Sequence, residues 1–138
     1  MTILLDTNIL LDVATDRKPF ADGSSRLLDW CEQHPGSAHI AWHSVSNLYY
    51  LLRAAGSESK ARMFISELLC FVRVAETDNS SVLFALQLPL KDLEDCLQVA
   101  AAVLCHAQYV ITRNKKHYRN APVGVLEPEE FLASMEKR

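Results

Sequence analysis

The sequence contains little glycine and no long apolar segment. Its four glycines form neither a glycine-rich phosphate loop nor the Gly-x-Ser-x-Gly turn of serine hydrolases, so both of those site classes lack support. The apolar run at the N-terminus ends at Asp6, which is too early for a signal peptide or a membrane span. We therefore expect a soluble, cytoplasmic protein without a membrane partner.

The sequence also lacks the cysteine and histidine spacings of common metal sites. Its four cysteines form no Cys-x-x-Cys pair, and its five histidines do not cluster. Cys31, Cys70 and Cys96 instead fall on the apolar faces of helical patterns. This predicts small buried side chains in a reducing compartment, without disulfide or metal roles.

An excess of positive charge is missing as well. The formal net charge is −3, which argues against a domain that holds nucleic acid by bulk positive charge. A nuclease is still compatible with this balance, because an acidic metal site adds negative charge that a bound ion offsets.

What the sequence does have is an alternation of short apolar runs and longer segments of helical period. At 138 residues and 49% hydrophobic content, it predicts one packed domain over residues 1–138. An amphipathic helix is predicted from Ser44 as its N-cap, the clearest helix opens at Asp92, and Pro128 starts the last one. Strands alternating with helices predict a three-layer α/β/α sandwich on a mostly parallel sheet of about five strands. The predicted strands are Thr2–Leu5, Ala38–Trp42, Phe71–Ala75, Gln108–Thr112 and Val123–Leu126.

Acidic residues occupy the positions at which such sheets bind ligands, near the carboxyl ends of strands. Asp6 directly follows the first strand, while Asp92 and Asp95 open the clearest helix and share one of its faces, with Glu94 pointing elsewhere. Carboxylates are the ligands that hard ions such as Mg²⁺ prefer. Helix capping is the alternative role for each acid, because aspartate is a preferred N-cap and first-turn acids meet the positive end of the helix dipole.

Amides and basic side chains adjoin these acids. Asn47 and Asn114 can each orient a water or a phosphate oxygen, although Asn47 could equally be a helix-surface amide. Four fixed positive charges follow between Arg113 and Arg119. Such a run is either a solvated loop or a patch that contacts a single-stranded phosphate backbone.

Taken in order, these segments resemble PIN-domain proteins, and among them the VapC-type toxin ribonucleases. The likeness extends over essentially the whole chain. It is carried by the stretches Leu4-Leu5-Asp6-Thr7-Asn8-Ile9, Ser44-Val45-Ser46-Asn47, Asp92-Leu93-Glu94-Asp95 and Thr112-Arg113-Asn114, and by the closing Val125–Leu132.

The resemblance implies an acidic site in which Asp6, Asp92 and Asp95 bind Mg²⁺ or Mn²⁺. Asn8 would orient Asp6 and contribute to substrate binding. The family usually has a glutamate at the position of Asn47 and often an aspartate at that of Asn114, so two expected acids are amides here. This change should weaken metal binding.

The implied function is endonucleolytic cleavage of RNA by metal-activated water, as the toxin of a bacterial toxin–antitoxin pair. Asn114 would act with the three aspartates in catalysis, and Arg113 and Lys115 would join Asn8 and Asn47 in binding RNA. An antitoxin protein and a second copy of the chain are the implied protein partners. The alternative is an inactive PIN fold that binds RNA or protein, which the two amides favour and the three neighbouring acids disfavour.

Overall fold

A five-stranded parallel sheet forms the centre of the computed structural model, which describes residues 1–137. Every strand pairing is parallel, and the order is β3-β2-β1-β4-β5. The predicted α/β class and strand number are thus confirmed. The strands are β1 (Ile3–Leu5), β2 (Ala38–Ile40), β3 (Arg73–Val74), β4 (Tyr109–Ile111) and β5 (Gly124–Leu126).

Seven α-helices within residues 1–137 cover both faces of this sheet. They are α1 (Thr7–Ala14), α2 (Ala21–Gln33), α3 (Trp42–Ala55), α4 (Glu58–Leu68), α5 (Asn79–Leu86), α6 (Leu93–Leu104) and α7 (Pro128–Glu136), and a 3₁₀ turn spans Lys115–Tyr118. None of the helices in this part of the chain has the length and apolar character needed to cross a membrane.

The pleat of β1 divides the core into two layers. Ile3 and Leu5 pack with residues of α1 to α4 and α7 on one face, whereas Leu4 packs with α6 on the other. Successive strand side chains point to opposite faces, and a strand covered on both sides is therefore apolar throughout. All three residues are fully buried, which explains why a continuous apolar run predicted this strand.

The strand order places β1 beside β4 at the point where the chain reverses its direction across the sheet. The chain runs from β1 through β2 to β3 at one edge, then returns by α5 and α6 to β4 on the other side of β1. Leu5 is in register with Ile111, so Asp6 and Thr112 leave the sheet side by side. Open parallel sheets bind ligands at such a switch point.

Two local predictions were wrong. Helix α3 begins at Trp42 with Ala41 as its N-cap, three residues before the predicted cap at Ser44. The Ser44 hydroxyl is buried and accepts a hydrogen bond from Thr7 Oγ1 at 2.9 Å, so it serves the core instead of the helix end. Cys70 is exposed because α4 ends before it, whereas Cys31 and Cys96 are buried as predicted.

The turn between α2 and β2 supplies a test of backbone strain. Gly36 has a φ of 85°, in the region that disfavours residues with a Cβ atom. We expect Gly36→Ala to lower the free energy of unfolding in urea by about 1 kcal/mol. Gly36→Asn is the matched control, since asparagine adopts a positive φ at a smaller cost than alanine and should lose less stability. Equal losses in the two variants would contradict this interpretation.

Candidate functional site

Asp6 lies at the carboxyl end of β1 with its side chain turned into the protein. It occupies the N-cap position of α1, yet its side chain makes no capping hydrogen bond. Thr112 Oγ1 and Tyr118 Oη each donate to Asp6 Oδ2 at 2.9 Å instead. The capping alternative therefore does not describe Asp6, whose carboxylate joins the ends of β1, β4 and the 3₁₀ turn.

The surroundings of Asp6 act on its acidity in opposite directions. Burial is the largest influence and raises the pKa of Asp6, while the hydrogen bond from Thr112 lowers it. The negative charge of Glu94 raises the pKa further, and the Tyr118 hydrogen bond opposes that effect. Burial also raises the pKa of Tyr118, which keeps its hydroxyl protonated and able to donate.

The first turn of α6 brings further carboxylates to the same edge of the sheet. Asp92 caps this helix, because its Oδ1 accepts a hydrogen bond from the Glu94 backbone N–H at 2.8 Å. The capping alternative thus describes Asp92, whose side chain also lines a groove at this edge of the sheet.

Asp95 is buried, and its side-chain carboxylate accepts no hydrogen bond from residues 1–137. The basic atom paired with it is His117 Nδ1, which lies 4.0 Å from Oδ2. Burial, followed by the charges of Glu94, Asp6 and Asp92, raises the pKa of Asp95 to about 6. Its carboxylate is therefore held at this edge against like-charge repulsion.

Glu94 also faces these acids, and the prediction that it points elsewhere was wrong. Its Oε2 lies 2.8 Å from His43 Nε2 and accepts a hydrogen bond from Gln98 Nε2 at 3.0 Å. Gln98 is fully buried and donates in turn to Ser44 Oγ and Thr7 Oγ1. The assignment of residues to helix faces by their spacing did not place Glu94 in the site. Its four-residue spacing to Gln98 is a signal that could have predicted their contact.

One groove of about 490 Å³ collects most of the predicted site residues. Those that line it are Asp6, Asn8, Asn47, Asp92, Asp95 and Asn114. Sequence reasoning missed the other lining residues, which are Thr7, Leu11, Tyr50, Leu51, Glu94 and His117. Four carboxylates but no lysine or arginine stand among these lining residues, so the groove is strongly negative.

Arg113 and Lys115, which were predicted to contact RNA, are absent from that lining. Arg113 Nε donates to Oδ2 of the fully buried Asp12 at 2.9 Å, and its guanidinium lies 4.4 Å from the Phe20 ring centre. Lys115 Nζ donates to Glu130 at 3.1 Å. Both cationic groups thus have acidic partners within the fold, and their contact with RNA stays a prediction.

The groove suits a hydrated divalent cation. Asn8 Oδ1 is a buried acceptor without a hydrogen-bond partner within residues 1–137, and Asp95 is a carboxylate without one. In this part of the chain no three His, Cys, Asp or Glu side chains stand close enough to hold an ion between them. Mg²⁺ is compatible with such a site, because it often takes only one or two carboxylates and keeps several waters.

Several solved structures share this fold. VapBC2 from Rickettsia felis, bound to a DNA fragment from its promoter, matches with a TM-score of 0.71 at 16% identity, over 92% of this chain and 98% of that chain. A toxin–antitoxin complex from Klebsiella pneumoniae matches with a TM-score of 0.70 at 24% identity, over 92% and 98%. VapC20 from Mycobacterium tuberculosis, a toxin that cleaves the sarcin–ricin loop, matches at 0.64 and 16% identity, over 79% and 87%.

The sequence itself matches a known family. No curated protein matches the chain, but the family model of the PIN domain matches residues 2–116. This match covers most of the chain and includes every acid of the groove, which confirms the resemblance found in the sequence. The chain belongs to the PIN-domain family.

Proposed function

We propose that the groove is the active site of a divalent-metal-dependent endoribonuclease. The observation that carries this proposal is the crowding of Asp6, Glu94 and Asp95 in a groove that no lysine or arginine lines. Buried like charges destabilise a fold unless a cation offsets them. Membership of the PIN-domain family supports nuclease chemistry.

The metal would be Mg²⁺ or Mn²⁺, held by Asp6 and Asp95 with Asp92 and Glu94 beside them. When bound, such an ion would activate water and offset the negative charge of the phosphate. Thr112 and Tyr118 fix the orientation of the Asp6 carboxylate through their hydrogen bonds to Oδ2. This arrangement leaves Asp6 Oδ1 for the ion.

The remaining polar groups would position RNA and accept a proton. Asn47 and Asn114 offer amide donors to a phosphate oxygen, and the Asn114 backbone N–H is anchored on Thr112 Oγ1 at 3.1 Å. Glu94 Oε1 accepts no hydrogen bond within residues 1–137, because His43 and Gln98 both contact Oε2. That free oxygen can accept the proton that the attacking water loses.

The proposed biological role is the toxin of a toxin–antitoxin pair in the cytoplasm, with an antitoxin protein as partner. Similarity to toxin–antitoxin complexes supports this role, and similarity to a toxin that cleaves the sarcin–ricin loop supports RNA as the substrate. A homodimer remains a prediction from the sequence.

A second candidate function is binding of RNA or protein without catalysis. It is favoured by the amides at Asn47 and Asn114 and by the lack, within residues 1–137, of three ligand side chains around one point. The two candidates differ in their response to divalent ions, since only the nuclease requires one.

The first prediction concerns metal binding. A ligand that binds only the folded state stabilises it, by about 1.4 kcal/mol at ten times its dissociation constant, so Mn²⁺ should raise the melting temperature of the protein by a few degrees. Asp95→Asn should remove most of this increase. Asp29→Asn, a charge loss at an exposed position on α2, is the control and should keep it. The same increase in all three proteins would exclude Asp95 as a ligand.

The second prediction concerns pH without metal. The pKa of Asp95 is raised from 3.8 to about 6 by folding, so the folded state binds the proton more tightly. This favours folding at low pH and is lost as the pH rises through about 6. In EDTA, Asp95→Asn should match the wild type near pH 4 and be more stable by about 1 kcal/mol near pH 7, after allowance for solvent screening. Urea unfolding at both pH values measures this. A difference that does not change with pH would refute it.

The third prediction concerns catalysis and Asn114. The wild type should cleave single-stranded RNA in Mg²⁺ or Mn²⁺ and not in EDTA, and Asp6→Asn should lower the rate by about 100-fold or more. Asn114→Asp should raise both the rate and the Mn²⁺-induced increase in melting temperature, because a carboxylate gives a hard cation charge that an amide lacks. Gel analysis of a labelled RNA measures the rate. Absence of divalent-dependent cleavage in both wild type and Asn114→Asp would favour the binding module.

A further inference from the structure

A second cavity adjoins the acidic groove and, unlike the groove, is lined by lysine and arginine side chains. This basic cavity, of about 560 Å³, is lined by Lys91, Lys116 and Arg119, and it shares Asp92, Asp95 and His117 with the acidic groove. Resting on the proposed nuclease function, we propose that the basic cavity binds backbone phosphates of single-stranded RNA beside the bond that is cut.

The three cations of the basic cavity are available to a ligand. Lys91 lies in the loop between α5 and α6, while Lys116 and Arg119 lie on and directly after the 3₁₀ turn, and all three are exposed. None of them forms an ion pair with another residue between 1 and 137. Lys115, by contrast, is paired with Glu130. Of the cations near the site, those unpaired within the described residues are thus Lys91, Lys116 and Arg119, and not Arg113 and Lys115, which were predicted to bind RNA.

The position of the cavity follows from electrostatics. A phosphodiester chain is repelled by the acidic groove, whose lining includes four carboxylates and no lysine or arginine. Asp92 and Asp95 line both cavities. A phosphate in the basic cavity therefore lies next to these acids, but the nearby lysine and arginine side chains offset the repulsion between the phosphate and the carboxylates. Contacts between Lys or Arg and phosphates supply most of the affinity for a nucleic acid strand.

The part of the acidic groove that is not shared with the basic cavity suits a base better than a phosphate. Tyr50 lines only the acidic groove and is 61% exposed, and Leu11 and Leu51 lie beside it. An exposed aromatic ring next to a phosphate channel is typical of single-strand binding, in which bases stack on side chains. The two cavities together therefore present basic, acidic and aromatic side chains to one strand.

The test is RNA binding without metal, which separates the basic cavity from catalysis. Fluorescence anisotropy of a short fluorescein-labelled single-stranded RNA is measured in EDTA over a range of salt concentrations. Lys91→Gln, Lys116→Gln and Arg119→Gln should each weaken binding by roughly three- to tenfold, and each should reduce the slope of log affinity against log salt by about 0.7.

Two further variants make the assignment specific. Lys60→Gln removes the same charge from α4, outside both cavities, and should leave affinity unchanged. Lys115→Gln decides between the basic cavity and the residues predicted from sequence, and it should weaken binding less than Lys116→Gln. Wild-type affinity in all three cavity variants would overturn the proposal, as would a larger loss for Lys115→Gln than for Lys116→Gln.

The two proposals fail in different ways. Lys116→Gln changes no carboxylate, so the Mn²⁺-induced increase in melting temperature should stay at the wild-type value. If the wild type lacks that increase and lacks cleavage but the cavity variants still lose RNA, the nuclease proposal fails and the phosphate site stands. If metal binding and cleavage are present but the cavity variants bind RNA normally, the phosphate site fails alone.

Discussion

The site depends on a buried carboxylate that must keep its hydrogen-bond donors. Asp6 is only 5% exposed, and leaving such a group unsatisfied would cost several kcal/mol. Its two closest donors, Thr112 and Tyr118, come from the end of β4 and from the 3₁₀ turn, and Asn8 Nδ2 donates to the same oxygen at 3.5 Å. The sheet order brings them there because β4 returns beside β1. The same contacts therefore close the carboxyl edge of the sheet and orient the carboxylate.

Two other buried acids show how differently the fold treats negative charge. Asp12 is fully buried, but Arg113 forms an ion pair with it. Asp95 is almost as buried and has only His117 at a distance, while three other carboxylates raise its pKa. The charge of Asp12 is thus neutralised within the fold by Arg113, as expected for an acid with a structural role. An acid without such a cation, at the switch point of a parallel sheet, is typical of a functional site that carries strain.

The sequence was informative where one local rule decides the outcome. Continuous apolar runs predicted the strands because both faces of the sheet are covered, and the carboxyl-end rule led to Asp6 and Asp95. Prediction failed where a distant partner decides. The local sequence of Ser44 predicts a helix cap, but in the fold its hydroxyl accepts a hydrogen bond from Gln98. The local sequence of Arg113 predicts a free cation, but Asp12, 101 residues away in sequence, forms an ion pair with it. Pairings of this kind follow from tertiary packing, which periodicity does not encode.

The central position of β1 determines when the acidic site can assemble during synthesis of the chain. Asp6 is synthesised before its donors Thr112 and Tyr118, which follow 106 and 112 residues later. Contacts of such long range form late and slow the folding of a domain. A chain released before β4 would lack both of these donors and the strand that directly precedes Thr112. A translation product interrupted before Thr112 therefore has no assembled acidic centre, and any cutting activity is confined to chains that extend past Tyr118.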